Sequence, residues 1–108
     1  MTTGYKIREG DTAYYLTFQI VGWVDIFTRK IYRDIVIDSF KYCQQNKGLN
    51  LYAYVIMSNH IHILGSSQNG DLSGIVRDFK NYTSNRFLEN IREGTESRSD
   101  WMEADIEY

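Results

Sequence analysis

Residues 13–22, AYYLTFQIVG, alternate. Tyr14, Leu16, Phe18 and Ile20 fall on one side of an extended segment, and the more polar set Tyr15, Thr17, Gln19 and Val21 on the other. Successive side chains of a strand point to opposite faces, so the segment reads as one strand of a sheet covered on one side only. The period then changes. In residues 28–48, TRKIYRDIVIDSFKYCQQNKG, the residues Tyr32, Val36, Phe40 and Cys43, flanked by Ile35, recur at spacings of three and four. That is the buried stripe of a helix. Thr28 stands where an N-cap would, and Lys47-Gly48 where the helix would end.

Two apolar runs follow, NLYAYVIM at 50–57 and HIHILGS at 60–66, separated only by Ser58 and Asn59. So short a link makes them an antiparallel hairpin, or else one strand with an irregularity. QNGD at 68–71 is a turn, with Asp71 placed to cap the next helix. Residues 72–93 carry that helix, its buried face formed by Leu72, Ile75, Phe79, Tyr82 or Thr83, Phe87 and Ile91. Beyond Gly94 the chain is polar and weakly patterned, a frayed end or a short last helix. The order β-α-β-β-α predicts an α+β fold, most of a ferredoxin-like unit, with the helices on one face of the sheet. Its final strand is not visible in the pattern; it is missing or supplied by a partner.

Composition narrows the class. A chain of 108 residues that is 43% hydrophobic and 15% aromatic is one domain, 1–108, with enough apolar matter for a core. A single cysteine, Cys43, excludes a disulfide framework and fits a reducing compartment. Residues 1–12 are polar, unlike a signal peptide, and no apolar run approaches the roughly 20 residues of a membrane helix. The expectation is a cytoplasmic protein without a membrane segment. The net charge of −2 changes the functional picture more. Nucleic-acid binders commonly carry a basic excess, so any such role here must rest on local placement. There is no proline, and no stretch reads as a linker or repeat.

The chain has only two histidines, and both sit in YVIMSNHIHILG, residues 54–65. At positions i and i+2 of a strand, His60 and His62 project from one face while Ile61 and Ile63 enter the other. Two imidazoles side by side on a stiff strand are preorganised to share a divalent ion. The alternative is a pair of half-exposed histidines with no ligand. If a metal binds, a tetrahedral zinc site is disfavoured, because no further histidine and only one cysteine exist. Oxygen donors completing a Mg2+ or Mn2+ site suit the remaining residue types better.

At this point the chain resembles a known family. YAYVIMSNHIHIL is similar to the histidine-hydrophobe-histidine strand of the single-tyrosine HUH transposases, in particular the REP-associated tyrosine transposases. YYLTFQIVGWVDIFTR resembles the family's first strand and helix entry, LSGIVRDFKNYTSNR the helix after the histidine strand, and ESRSDWM the segment beyond it. The resemblance spans about residues 14–102, in the family's order. It implies an enzyme that binds single-stranded or hairpin DNA as a homodimer. There, two histidines hold a divalent metal, and a tyrosine attacks phosphorus to form a 5′-phosphotyrosine link that strand transfer reverses. His60 and His62 match the metal pair. The family's nucleophile lies on a later helix, in a Tyr-Ile-x-x-Asn-Pro-like stretch with no counterpart here. The resemblance therefore implies an N-terminal piece of the full family domain. The rival readings are a noncatalytic single-stranded nucleic-acid-binding module and an inactive remnant.

Other residues are candidates by type. Tyr82, on the second helix, is the better stand-in nucleophile than the terminal Tyr108, provided its ring faces the histidine side of the sheet; as a structural residue it would edge the core stripe. Arg77, Lys80 and Arg86 could meet DNA phosphates, or form a solvated helix face with Asp78 and Glu89. Trp23, with Tyr14, Tyr15 and Tyr54, could stack on unpaired bases, although strand aromatics more often serve a core. Asn59 could orient a histidine or simply make the turn. Cys43 reads as a small core residue.

Overall fold

A computed structural model of the protein describes residues 2–3, 13–19 and 25–95. Strand β1 is Thr2–Thr3 and β2 is Tyr14–Gln19; helix α1 is Lys30–Asn46, β3 Leu49–Ile56, β4 His60–Ser67 and α2 Leu72–Asn90. A 3-10 turn, Ile26–Thr28, precedes α1, and a π turn, Ile91–Thr95, follows α2. The sheet order is β1-β2-β4-β3, and every neighbouring pair is antiparallel. In this order β2 and β3 run parallel with β4 between them, each leading into a helix or hairpin, as in the split β-α-β arrangement of a ferredoxin-like unit. The expected α+β class holds, with both helices on one face.

The hairpin reading of Ser58 and Asn59 holds as well. Met57 N–H donates to His60 O at 2.8 Å, and Ile56 pairs with Ile61. Ser58 O accepts from Phe27 N–H at 2.8 Å, so the 3-10 turn buttresses the hairpin tip.

The alternation in β2 sorts its side chains as expected. Leu16 and Phe18 are buried, while Tyr15 is 52% exposed. On β4, Ile61 and Ile63 are buried beneath the sheet. They join Tyr32, Ile35, Val36, Phe40 and Cys43 of α1 and Leu72, Ile75, Phe79 and Phe87 of α2 in one core. Phe79 stacks on Phe40 with centroids 5.3 Å apart and tilts against Phe18 at 5.0 Å, joining both helices to the sheet. Each such ring or branched aliphatic chain withdrawn from water contributes about 1.5–3 kcal/mol. Of the alternatives Tyr82 and Thr83, the core takes Thr83; Tyr82 is only half-buried.

One local expectation is corrected, and two features appear that the sequence pattern did not predict. Thr28 is not the N-cap of α1. Its N–H and Oγ1 donate to Asp25 O at 3.1 and 2.7 Å, closing the 3-10 turn, and Arg29 occupies the cap position. Residues 1–12 do contribute a strand, since Thr2 and Thr3 pair with Gln19 and Phe18 beside β2. That is the edge where the sequence leaves a place for a missing last strand. The β3 pattern slips by one residue between Leu51 and Ala53, a bulge at Tyr52. The slip keeps Leu49 and Leu51, then Tyr54 and Ile56, on the helix side despite the odd spacing.

The helix ends follow simple rules. Gly48, at φ 74°, takes the left-handed position that ends α1, a conformation without a Cβ penalty only for glycine. Asp71 accepts from Gly74 N–H at 3.1 Å and caps α2 as expected. A Cβ on Gly74 would run into that carboxylate.

Candidate metal and nucleic-acid site

The helices cover one face of the sheet, and among the described residues no element covers the other. The open face receives the alternate residues Tyr15, Thr17 and Gln19 of β2 and His60, His62 and Leu64 of β4. The register pairs Gln19 with His60, Thr17 with His62 and Tyr15 with Leu64. From β3, Val55 lies beside His62 and Ala53 beside Leu64. The histidines therefore sit on the central strand of the open face, flanked on both sides.

The two imidazoles are adjacent and perpendicular, with centroids 4.8 Å apart at 89°. Each is held by its Nδ1 edge. His60 Nδ1 lies 2.9 Å from Asn59 Oδ1. A carboxamide oxygen only accepts, so Nδ1 is the donor in this contact. His62 Nδ1 lies 2.7 Å from Tyr15 Oη and 3.2 Å from Thr17 Oγ1. Among the described residues no hydrogen bond engages Nε2 of either ring. Asn59 thus serves both the turn and the neighbouring histidine.

A shallow groove of about 240 Å³ runs beside His62, lined by Tyr15, Ala53, Tyr54, Val55, Met57 and Leu64. Val55 is 56% and Met57 46% exposed, so apolar surface meets solvent beside the imidazoles. A larger hollow of about 420 Å³ lies between α1 and β3, lined by Ile37, Lys41, Gln44 and Tyr52 among others, and does not include the histidines.

The remaining candidates lie elsewhere. Tyr82 fails its own condition: its ring belongs to the helical layer, stacked on Tyr42 at 4.4 Å, with its hydroxyl accepting from Arg86 at 3.0 Å. The tyrosine that does meet a histidine is Tyr15. Sequence reasoning treated it as a stacking candidate, because it could not know which strand would lie beside β4. Arg77, Lys80 and Arg86 also belong to the helical layer. Arg77 and Arg86 contact Asp78 and Glu89 at 3.3 and 3.8 Å, while burial lowers the Lys80 pKa from its ordinary value. None of the three is brought to the histidine face. Trp23 lies outside the described residues. Cys43 is a buried core residue, as expected, and burial pushes its thiol up to about 11.

Among the described residues, no cluster of three or more His, Cys, Asp or Glu could hold a metal, and no helix is long and apolar enough to cross a membrane. Fold and site define an α+β protein that presents a histidine pair on the sheet face opposite its helices. Residues 13–103 match the family of IS200-like transposases, and the chain belongs to that family. Its role is thus in DNA transposition, with DNA as partner. Comparison with curated proteins and with solved structures gave no match.

Proposed function

We propose that this transposase chain cleaves and rejoins single-stranded DNA by metal-dependent chemistry, through a 5′-phosphotyrosine intermediate. The observation that supports this reading best is the paired histidines. Both Nδ1 edges are tied down and both Nε2 edges left unengaged, on the uncovered face of a chain from a transposase family. His60 and His62 would hold a divalent ion, which supplies charge to polarise a scissile phosphate. The donor set suits Mg2+ or Mn2+ completed by oxygen, since the described residues add no third histidine, thiolate or carboxylate. By accepting from Nδ1, Asn59 would favour the His60 tautomer that leaves Nε2 for a metal. The groove beside His62 offers Tyr15, Val55, Met57 and Leu64 to an unpaired base, and so favours single strands or hairpin ends over duplex. The attacking group in this reading would be a tyrosine reaching the histidine face, which Tyr82, stacked on Tyr42 in the helical layer, does not. In this reading the protein acts in the cytoplasm as a homodimer.

The test is covalent capture. The chain is incubated with end-labelled single-stranded and hairpin oligonucleotides and Mn2+, then denatured and resolved on a gel. A metal-dependent protein–DNA band that His60→Ala and His62→Ala each abolish is the expected result. Binding at low salt with no covalent product from any strand refutes the catalytic reading and leaves a noncatalytic single-strand binder. No binding at all leaves an inactive remnant. Light scattering at high concentration checks the dimer.

A further inference from the structure

We propose that Tyr15, assisted by Thr17, is a positioning residue for His62, fixing the imidazole by its Nδ1 edge so that Nε2 is kept for the metal; this rests on the metal reading above. Strand β2 lies next to β4, with Thr17 directly opposite His62 and Tyr15 opposite Leu64. Alternation aims both hydroxyls at the open face. The Tyr15 ring stacks on the imidazole, with centroids 5.5 Å apart at 25°. Its hydroxyl lies 2.7 Å from Nδ1, and Thr17 Oγ1 lies 3.2 Å from the same nitrogen. Two hydroxyls converge on one ring nitrogen, while Asn59 alone meets the Nδ1 of His60.

Burial in the core does not account for the contact. Tyr15 is 52% exposed, so its ring fills no core position and a phenyl group would stack equally well. The hydroxyl is the part that needs a reason. Nor is the geometry that of an attacking group. The Tyr15 oxygen is held at Nδ1, whereas the ion would be held by the other ring nitrogen, Nε2. Metal-binding histidines commonly have their other ring nitrogen tied by a hydrogen bond, and losing that partner typically weakens metal affinity about 10–100-fold.

The experiment uses the full chain and the variants Tyr15→Phe, Thr17→Val and His60→Ala. Two readouts are taken. The first is the 15N spectrum of the imidazole nitrogens in the metal-free protein at fixed pH. It reports which nitrogen of each ring carries the proton. The second is Mn2+ affinity from the paramagnetic signal of free Mn2+. Tyr15→Phe is expected to alter the His62 nitrogen signals and leave those of His60 in place. It is further expected to weaken Mn2+ binding by about 10–100-fold with an unchanged melting midpoint. Thr17→Val acts in the same direction and less. Unaltered His62 signals together with wild-type Mn2+ affinity in Tyr15→Phe would overturn the assignment. A wild-type chain that binds no Mn2+, with His60→Ala indistinguishable from it, overturns the metal reading itself and the positioning role with it.

Discussion

Thr83 and Ser39 join the two helices through one buried hydrogen bond, and removing it from either side should cost different amounts. Thr83 Oγ1 donates to Ser39 Oγ at 2.9 Å, and Ser39 Oγ donates onward to Ile35 O at 2.8 Å. Both residues are 0% exposed. Thr83→Val keeps the shape and removes the donor. Ser39 still donates to Ile35 O, so the loss is one accepted bond, about 0.5–1.5 kcal/mol, partly offset by the added apolar burial. Ser39→Ala instead strands the Thr83 hydroxyl in the core. An unsatisfied buried donor costs about 1–3 kcal/mol. The greater helix propensity of alanine returns roughly 0.5 kcal/mol, and rotation of the threonine hydroxyl toward its own preceding turn recovers some of the rest. Ser39→Ala should therefore be the costlier change. The double variant removes both polar groups and should lie below the sum of the singles by about 1 kcal/mol, a coupling that neighbours in one network show and distant residues do not. Urea unfolding of the four proteins measures the cycle. Additivity within about 0.4 kcal/mol, or a Thr83→Val cost above that of Ser39→Ala, would refute the reasoning.

Burial first, and Asp78 second, push the Cys43 thiol from its ordinary 9.0 up to about 11, with Lys47 opposing. A raised folded-state pKa stabilises the fold fully below pH 9.0 and loses that contribution as pH climbs toward about 11. Urea midpoints should therefore fall across that window, and Cys43→Ala should flatten the fall; iodoacetamide should modify the native thiol far more slowly than the unfolded one at pH 8. Asp71→Ala removes the α2 cap and should cost about 1 kcal/mol in urea unfolding; no measurable change would mean that another group caps Gly74 N–H. Single-strand binding should have a shallow salt dependence, with a log–log slope no steeper than about −2, equivalent to some three phosphate contacts. A slope near −5 would place basic side chains at the DNA instead.

Much of this arrangement is legible in the chain, for identifiable reasons. The periods of two and of three-to-four separate cleanly at residues 13–22 and 28–48, because polar residues mark the faces. His60 and His62 share a side by strand geometry alone. β3 is different. Its run LNLYAYVI is apolar on both parities, so nothing in it marks where the faces exchange, and the bulge at Tyr52 emerges only from pairing with β4. Tyr82 and Thr83 are adjacent on a helix, and only packing against Ser39 and Tyr42 decides which is core and which is rim. The contact of Tyr15 with His62 depends on which strand lies beside β4 and in what register. Those are long-range facts that no local pattern encodes. Thr2–Thr3 is too short to have a period.

The same register resolves the difficulty posed by an acidic chain that handles DNA. None of the strands Tyr14–Gln19, Leu49–Ile56 and His60–Ser67 contains an Asp, Glu, Lys or Arg. Among the described residues, every formal charge belongs to the helices and the turns beside them, where Lys30, Lys47, Arg77 and Arg86 meet Asp34, Asp78 and Glu89. The described residues thus place no formal charge on the face that carries the histidines. Charges elsewhere act on it through salt water, where the screening length is about 8 Å. Among the described residues, that face offers a DNA strand no carboxylate to repel it and no cation to draw it in. In the proposed function, attraction has to come from the ion held by His60 and His62 and from bases laid on Tyr15, Val55, Met57 and Leu64. With no charged side chain on these strands, such an ion would be the dominant positive charge that the described part of that face offers a phosphate. In the proposed function, local placement rather than total charge would then reconcile an acidic transposase with its polyanionic partner.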